Sequence, residues 1–388
     1  MFIVVWQYED FTNAGNLSLA MNITNFFYLI AIYSMRFFQI SDFNNQYNDC
    51  EFIISRVFTC ITSIILCIIF ILIADLSNLQ RLIIFIYMLF RASEAFIDVF
   101  HGISQKHWRM DYIGISLILR SIFMLTVFVI IGNLFGFLFA IIGIFIITVL
   151  IGLLYDLPKT IPLIKFTRIK IKNILLLIKN CFPLMLVPLI SNFIAFYSRY
   201  SIEKIYGTED LGIYTSVIAP TMVLQVSISF LFVPLSNVIS SYVNDKKYKV
   251  LFNLFILCII SIIGFTMLFY ILFYFFGEWG LTFIFGISIK DYSYLLLGAV
   301  IIGGLTGLMW YMNIFFTIIR DIKGILYGNI IGVFICVLIT NYLLNKYYLN
   351  GANYILIISM GISLLYLLFR FFWYYKKKYK INDIIGDN

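Results

Sequence analysis

An all-α polytopic membrane protein with about eleven transmembrane helices is the fold class this sequence predicts, on three observations. Of 388 residues, 62% are apolar or aromatic and only 12% are charged, and the mean hydropathy is +1.00. A soluble domain carries roughly 45–50% apolar and about 25% charged residues, so there is too little charge here to cover a water-exposed surface. The apolar residues fall in runs of bilayer length, since a hydrocarbon core of about 30 Å takes roughly 20 helical residues. Most Lys and Arg residues fall in the short breaks between those runs, which is how membrane topology is marked. These observations exclude a water-soluble enzyme, a nucleic-acid-binding domain and a disordered chain. The net charge of +8 belongs to topology and implies no nucleic-acid partner.

In order along the chain, the runs place spans at 16–38, 52–74, 80–103, 112–131 and 134–155. A second series follows at 181–203, 211–242, 249–276, 292–319, 324–345 and 352–374. The domain layout is an N-terminal helical lobe over 1–155, a connector over 156–180 and a C-terminal lobe over 181–388. Arg81, Arg91, Glu94, Asp98 and His101 interrupt the third span. The seventh is long enough to bend, and Pro220 and Pro234 are the places to do so. In the connector, Lys165, Arg168, Lys172 and Lys179 share one face of a helix over Ile161–Lys179, with Leu163, Ile164, Ile171, Ile174, Leu175 and Ile178 elsewhere around it. Such a helix lies on the anionic cytoplasmic leaflet, as a plain positive-inside anchor or as a regulatory lipid site.

One set of loops, together with the C-terminal tail, carries seventeen Lys and Arg residues; the opposite set carries four. The positive-inside rule makes the first set, and with it the C-terminus, cytoplasmic. The loop at 40–51 breaks the pattern, with Asp42, Asp49 and Glu51 and no basic residue, but acids weigh little in this rule. Eleven spans and an inside C-terminus put the N-terminus outside, and Met1–Val5 has no basic flank of the kind a secretory signal carries. A weak repeat aligns Tyr8-Glu9-Asp10 with Tyr206-Gly207-Thr208-Glu209-Asp210, and Gln39-Ile40-Ser41-Asp42 with Pro234-Leu235-Ser236-Asn237. In the second copy the helix 181–203 precedes the motif; in the first only Met1–Val5 stands in its place, so a first helix is expected to be missing. Cys50, Cys60, Cys67, Cys181, Cys258 and Cys336 are scattered without metal-ligand spacing and read as small buried hydrophobes. No G-x-x-x-x-G-K-[ST] loop occurs, so ATP hydrolysis is not expected, and no cofactor is implied.

Three stretches carry a family resemblance: Arg91-Ala92-Ser93-Glu94-Ala95-Phe96-Ile97-Asp98 on to His101-Gly102-Ile103-Ser104-Gln105-Lys106, Met35-Arg36-Phe37-Phe38-Gln39-Ile40-Ser41-Asp42, and Arg199 to Glu203 with Leu211-Gly212-Ile213-Tyr214. They resemble bacterial polysaccharide flippases of the multidrug/oligosaccharidyl-lipid/polysaccharide exporter superfamily, over essentially the whole chain. The resemblance implies twelve or more helices in two pseudo-symmetric lobes around a central cavity, the spans here matching helices two to twelve. It implies a bacterial inner-membrane transporter that flips oligosaccharide on polyprenyl pyrophosphate to the outer leaflet for cell-surface polysaccharide assembly. The partners it implies are the lipid-linked oligosaccharide, membrane lipids, and the polysaccharide polymerase and glycosyltransferases of the same pathway.

The charges inside the spans carry the functional reading, because a charge at the bilayer centre costs on the order of 2.5–3.5 kcal/mol on insertion scales. Arg36, Arg56 and Arg370 lie near cytoplasmic ends, where they can snorkel to headgroups. Arg91, Arg120 and Arg199 are placed less easily, although Arg199 has Glu203 one turn on. Arg36, Arg56, Arg91, Arg120 and Arg199 are the candidate cations for a pyrophosphate, whose oxygens suit the guanidinium fork; Gln39 and Asn192 are the weaker candidates for sugar contacts. Arg91, Glu94, Asp98 and His101 recur at i, i+3, i+7 and i+10 and form one polar stripe, which cannot face lipid. Either it lines water, with Glu94 or Asp98 titrating in ion-coupled transport, or it is an ion-pair network joining helices. Two other functions are open: a membrane-embedded polysaccharide polymerase or glycosyltransferase, against which the short outer loops count, and a small-molecule exporter of the sister branch, which would favour acidic cavities.

Overall fold

The computed structural model describes residues 11–42, 46–164, 166–232, 235–245 and 247–386, and among these it is helical almost throughout with no strand. Expectations resting on Met1–Val5, on Tyr8, Glu9 and Asp10, and on Lys165 and Pro234 lie outside the described residues, as do the side chains of Ser236, Asn237, Lys377, Lys378 and Lys380. Among the described residues, ten helices are long and apolar enough to cross a membrane. An eleventh, Asn78–Lys106, has the length but carries the charges that break up its apolar run. The chain divides into two compact units, Met1–Leu189 and Ile190–Asn388.

The first unit contains α1 (Phe11–Ile32), α2 (Met35–Ser41), α3 (Asp49–Ile73), α4 (Asn78–Lys106), α5 (Met110–Phe135), α6 (Phe137–Ile151) and the beginning of α7 (Ile171–Tyr206). The hub is α4, with α1, α2, α3, α5 and α6 all packed against it. Its start is fixed by a capping box: Gln80 N–H donates to Ser77 Oγ at 3.2 Å, and Ser77 N–H to Gln80 Oε1 at 2.8 Å.

The span expected at 16–38 is two helices rather than one. Tyr33 and Ser34 take left-handed φ values of 49° and 51°, which costs roughly 1–2 kcal/mol for each non-glycine residue. Packing outweighs that cost. Tyr33 and Met35 are buried with Phe52, Phe100, Ile103, Leu177 and Cys181, and Ser34 Oγ donates to the Leu184 carbonyl at 3.2 Å. The acids of the 40–51 connection also have work in the fold. Asp42 accepts the backbone N–H groups of Gln46 and Tyr47, each at 3.0 Å. Glu51 is fully buried and accepts from Asn48 N–H (3.0 Å), Lys170 N–H (3.1 Å) and Asn173 Nδ2 (2.9 Å).

The helix expected over Ile161–Lys179 does not form. From α6 the chain passes through a π turn, Gly152–Asp156, and a short helix, Leu157–Thr160, to a 3-10 turn at Ile161–Leu163. Pro158 and Pro162 supply no N–H to sustain helix there. Residues 166–170 are non-helical, so Arg168 shares no helical face with Lys172 and Lys179, which belong to α7.

The second unit holds the rest of α7, then α8 (Thr208–Ile218), α9 (Met222–Phe232), α10 (Leu235–Asn244), α11 (Tyr248–Phe285), α12 (Leu295–Ile318), α13 (Ile322–Tyr347) and α14 (Leu349–Gly386). The expected bend at Pro220 is present as a 3-10 turn, Ala219–Thr221, between α8 and α9. At the α13–α14 corner, a Cβ on Gly351 would stand 2.3 Å from the Leu343 carbonyl oxygen, so the corner admits only glycine. Along α11 the exposed residues include Leu257, Ile260, Met267, Ile271 and Phe275, an apolar face suited to lipid rather than water.

Replacing Glu51 by Gln keeps the shape but removes the charge that three donors share. A hydrogen bond to a charged group contributes about 1.5–3 kcal/mol, so the variant is expected to unfold at a clearly lower temperature in detergent. The Lys346→Gln variant, altered at an exposed site, should melt as the wild type does.

Candidate functional site

The polar stripe on α4 is resolved into three stations, each completed by residues from a different neighbour. At the first, Arg91 pairs with Glu94, donates to Asn25 Oδ1 on α1, and lies over the Tyr28 ring with its guanidinium carbon 4.2 Å from the centroid. The cation thereby gains a carboxylate, an amide and an aromatic face, the set that makes a guanidinium tolerable away from water.

At the second station Asp98 holds two arginines. Arg36 Nη1 reaches Asp98 Oδ1 at 3.0 Å and Arg56 Nη2 reaches Asp98 Oδ2 at 3.1 Å. Arg36 also donates from Nε and Nη2 to Gln105 Oε1, at 3.1 and 2.8 Å. Arg56 Nη1 donates to the Ala31 carbonyl at 3.0 Å, an acceptor it shares with Thr59 Oγ1 at 2.8 Å. That carbonyl is available because α1 stops at Ile32; in a continuous helix it would accept from the residue four positions on. Arg36 and Arg56 therefore do not snorkel to headgroups as their positions suggested. The break between α1 and α2 turns the first of them onto α4, and the second is fully buried.

The third station is buried throughout. His101 Nε2 lies 3.1 Å from Asp156 Oδ1, 3.3 Å from Ser116 Oγ and 3.4 Å from Arg120 Nη2, while Ser116 Oγ donates to Asp156 Oδ2 at 3.0 Å. Asp156 comes from the π turn, Ser116 and Arg120 from α5. One nitrogen faces both the serine and the aspartate, so this is not a nucleophilic triad, which needs the two ring nitrogens to face opposite partners.

Among the described residues, the three stations hold Arg36, Arg56, Arg91 and Arg120 against Glu94, Asp98 and Asp156, an excess of one positive charge before His101 is counted. The excess is presented at Arg36, whose side chain is 30% exposed, whereas Arg56 is closed off. Gln39 is buried against α4, with Nε2 3.5 Å from the Val99 carbonyl and Oε1 unpaired. In the second unit, Arg199 on α7 has a buried Nε with no hydrogen-bond partner among the described residues, and it lies near Tyr214. The Tyr214 hydroxyl is itself engaged, donating to Asn353 Oδ1 at 3.1 Å. Asn192 lies on an exposed part of α7. Asp156 is the residue that sequence reasoning missed: it falls one position beyond the expected span 134–155, yet it is the one acid in the long apolar helix that ends at Leu163. Ser116, Gln105 and Asn25 carried no signal of their own.

A chain of bilayer-length helices with charges enclosed between them is a multi-pass membrane protein. A family model described as polysaccharide biosynthesis protein matches residues 10–240, and the chain belongs to that family. Its fold is similar to that of an inward-facing multidrug resistance MATE family transporter of the MOP superfamily (15% identity, 98% of this chain and 94% of the other covered, TM-score 0.73). The lipid II flippase MurJ in its inward closed conformation is equally similar (15% identity, 99% and 87% covered, TM-score 0.74). A MOP superfamily transporter from Pyrococcus furiosus, noted for the reverse polarity of its binding pocket, matches at 15% identity over 94% and 85% of the two chains with a TM-score of 0.63. Among curated proteins none matches the sequence.

Removing the charge of Asp98 leaves two guanidiniums facing each other. Breaking a buried ion pair costs about 3–5 kcal/mol, so Asp98→Asn should lower the melting temperature more than Glu94→Gln does, since Arg91 keeps Asn25 and Tyr28. Adding Arg36→Gln to Asp98→Asn should restore part of the loss, and a double variant no more stable than the single would contradict the shared-carboxylate geometry.

Proposed function

We propose that this protein is a flippase that moves polyprenyl-pyrophosphate-linked oligosaccharide from the cytoplasmic to the outer leaflet of a bacterial inner membrane, with its C-terminus in the cytoplasm. The observation that carries this reading is the surplus of arginine over carboxylate among the enclosed charges. Among the described residues, two guanidiniums share Asp98, Arg120 meets a histidine and no carboxylate, and no ion pair joins Arg199 to a carboxylate. A surplus of fork-shaped cations suits a pyrophosphate, which arginine binds through paired hydrogen bonds. Membership of a polysaccharide biosynthesis family supports a sugar-bearing substrate, and the fold shared with a lipid II flippase supports a lipid-linked one. The transport reading is one of alternating access without bond chemistry, in which the cations hold the headgroup while the lipid tail stays in the bilayer. The polymerase and glycosyltransferases of the same pathway are the partners it implies.

In proteoliposomes carrying a polyprenyl-pyrophosphate oligosaccharide, the purified protein should make sugar on the far leaflet accessible to a membrane-impermeant lectin. Loss of one charge-assisted hydrogen bond costs about 1.5–3 kcal/mol, so Arg36→Gln and Arg199→Gln are each expected to slow the rate at least tenfold. Arg36→Lys should rescue it only partly. Sugar exposure that is the same with and without protein would overturn the reading.

A further inference from the structure

We infer that the third station of α4 is a proton-binding site, with His101 Nε2 as the atom that takes the proton and Arg120 and Asp156 as its alternate partners. The site lies apart from Glu94 and Asp98, the acids that the stripe pattern nominated for coupling. Both are already committed, Glu94 to Arg91 and Asp98 to Arg36 and Arg56, so a proton on either would remove the charge from an ion pair. A proton on His101 breaks one contact, that with Arg120 Nη2, and strengthens another, that with Asp156 Oδ1.

The geometry makes the station two-state. Asp156 Oδ1, 3.1 Å from Nε2, is an acceptor and requires a proton on that nitrogen. Arg120 Nη2, 3.4 Å from the same nitrogen, is a donor and requires its lone pair. One nitrogen cannot satisfy both. With the ring neutral and Nε2 bare, Arg120 donates to it and Asp156 is served by the Ser116 hydroxyl, 3.0 Å from Oδ2. A neutral ring bearing its proton on Nε2 would lose the Arg120 contact too, so the neutral form that keeps Arg120 has Nε2 bare. When hydronium gives its proton to the Nε2 lone pair, an O–H bond breaks, an N–H bond forms and water is released. The new N–H donates to Asp156 Oδ1, and Arg120, now facing a cation, must leave. Proton binding thus exchanges one grip between α4 and α5 for a grip between α4 and the π turn.

Among the described residues, the other charged side chains on the elements packed against α4 are Arg36 on α2, Asp49, Glu51 and Arg56 on α3, and Asp111 on α5, while α1 and α6 carry none. Arg36 and Arg56 are held by Asp98, Glu51 serves Asn48, Lys170 and Asn173, and Asp111 is exposed and paired with Arg109. Lys159, on the short helix after the π turn, is exposed beside the Tyr112 ring. Tyr155, in the π turn itself, is half-buried. The π turn that carries Asp156 is a local departure from helix of the sort frequently found at functional sites. His101 lies three residues from Asp98 on the same face of α4, so a change of grip at one station is felt at the other within a turn. Use of the proton in transport rests on the flippase reading; the proton site itself does not.

The chain has only two histidines, which allows a direct test. In protein labelled with ¹⁵N-histidine and carrying His107→Gln, the one remaining ring should pass from bare to protonated Nε2 as the pH is lowered. At fixed pH, the ratio of protonated to neutral ring should fall at least tenfold in Asp156→Asn and rise at least tenfold in Arg120→Gln. A ratio that ignores Arg120→Gln in a variant with wild-type melting overturns the site, and that arm stands even if Asp156→Asn fails to fold. In the proteoliposome assay, His101→Gln should flatten the pH dependence of sugar translocation. Translocation whose pH profile survives His101→Gln removes the coupling and leaves the flippase reading intact. A normal titration with no translocation at any pH removes the flippase reading and leaves the proton site.

Discussion

One carboxylate holds the interior of the first unit together. Asp98 is gripped from opposite sides by Arg36 and Arg56, and through them α2 and α3 are tied to α4. Lipid offers no hydrogen bonds, so each of these charges has to be met by protein. The surrounding structure is arranged to meet them. The break at Tyr33 and Ser34 exposes the Ala31 carbonyl for Arg56 and carries Arg36 into reach, and Gln105 takes the remaining donors of Arg36. The left-handed residues are tolerable because two guanidiniums and a buried aromatic cluster depend on the path they impose.

The same accounting separates the three stations by how much freedom each retains. Arg91 is held by a carboxylate, an amide and a ring, with its Nε left unpaired among the described residues. The Asp98 station sets one carboxylate against two guanidiniums and so carries a surplus positive charge. The His101 station is the one in which two neighbours make incompatible demands on a single nitrogen. A paired arginine, a carboxylate shared by two arginines and a histidine between a donor and an acceptor thus follow one another along one helix face.

Much of this was legible in the sequence, for identifiable reasons. The spans were readable because length and hydropathy are local properties, and the α4 stripe because i, i+3, i+7 and i+10 survive any rotation of the helix. The bend at Pro220 had its own marker. The break after Ile32 had none: Tyr-Ser carries no glycine or proline, and the conformation is imposed by packing from Phe52, Phe100 and Cys181, far away in sequence. For that reason Arg36 looked like a residue at a helix end reaching for headgroups. The pairing of Arg91 was open between Glu94 and Asp98 because spacing permits both; only the arrival of Arg36 and Arg56 decides it. Asp156 was overlooked because the apolar run was closed one residue too early.

The acids of the 40–51 connection bear on how such a chain assembles. Sidedness in a bilayer is set while the nascent polypeptide is being inserted, and it responds to lysine and arginine. The contacts of Asp42 with Gln46 and Tyr47 and of Glu51 with Asn48 are local, whereas those of Glu51 with Lys170 and Asn173 need that distant segment to have arrived. The two signs of charge therefore write two messages read at different times: basic residues direct threading, and acidic residues lock the tertiary contacts. A loop can violate the first message without confusing it, provided its carboxylates belong to the second.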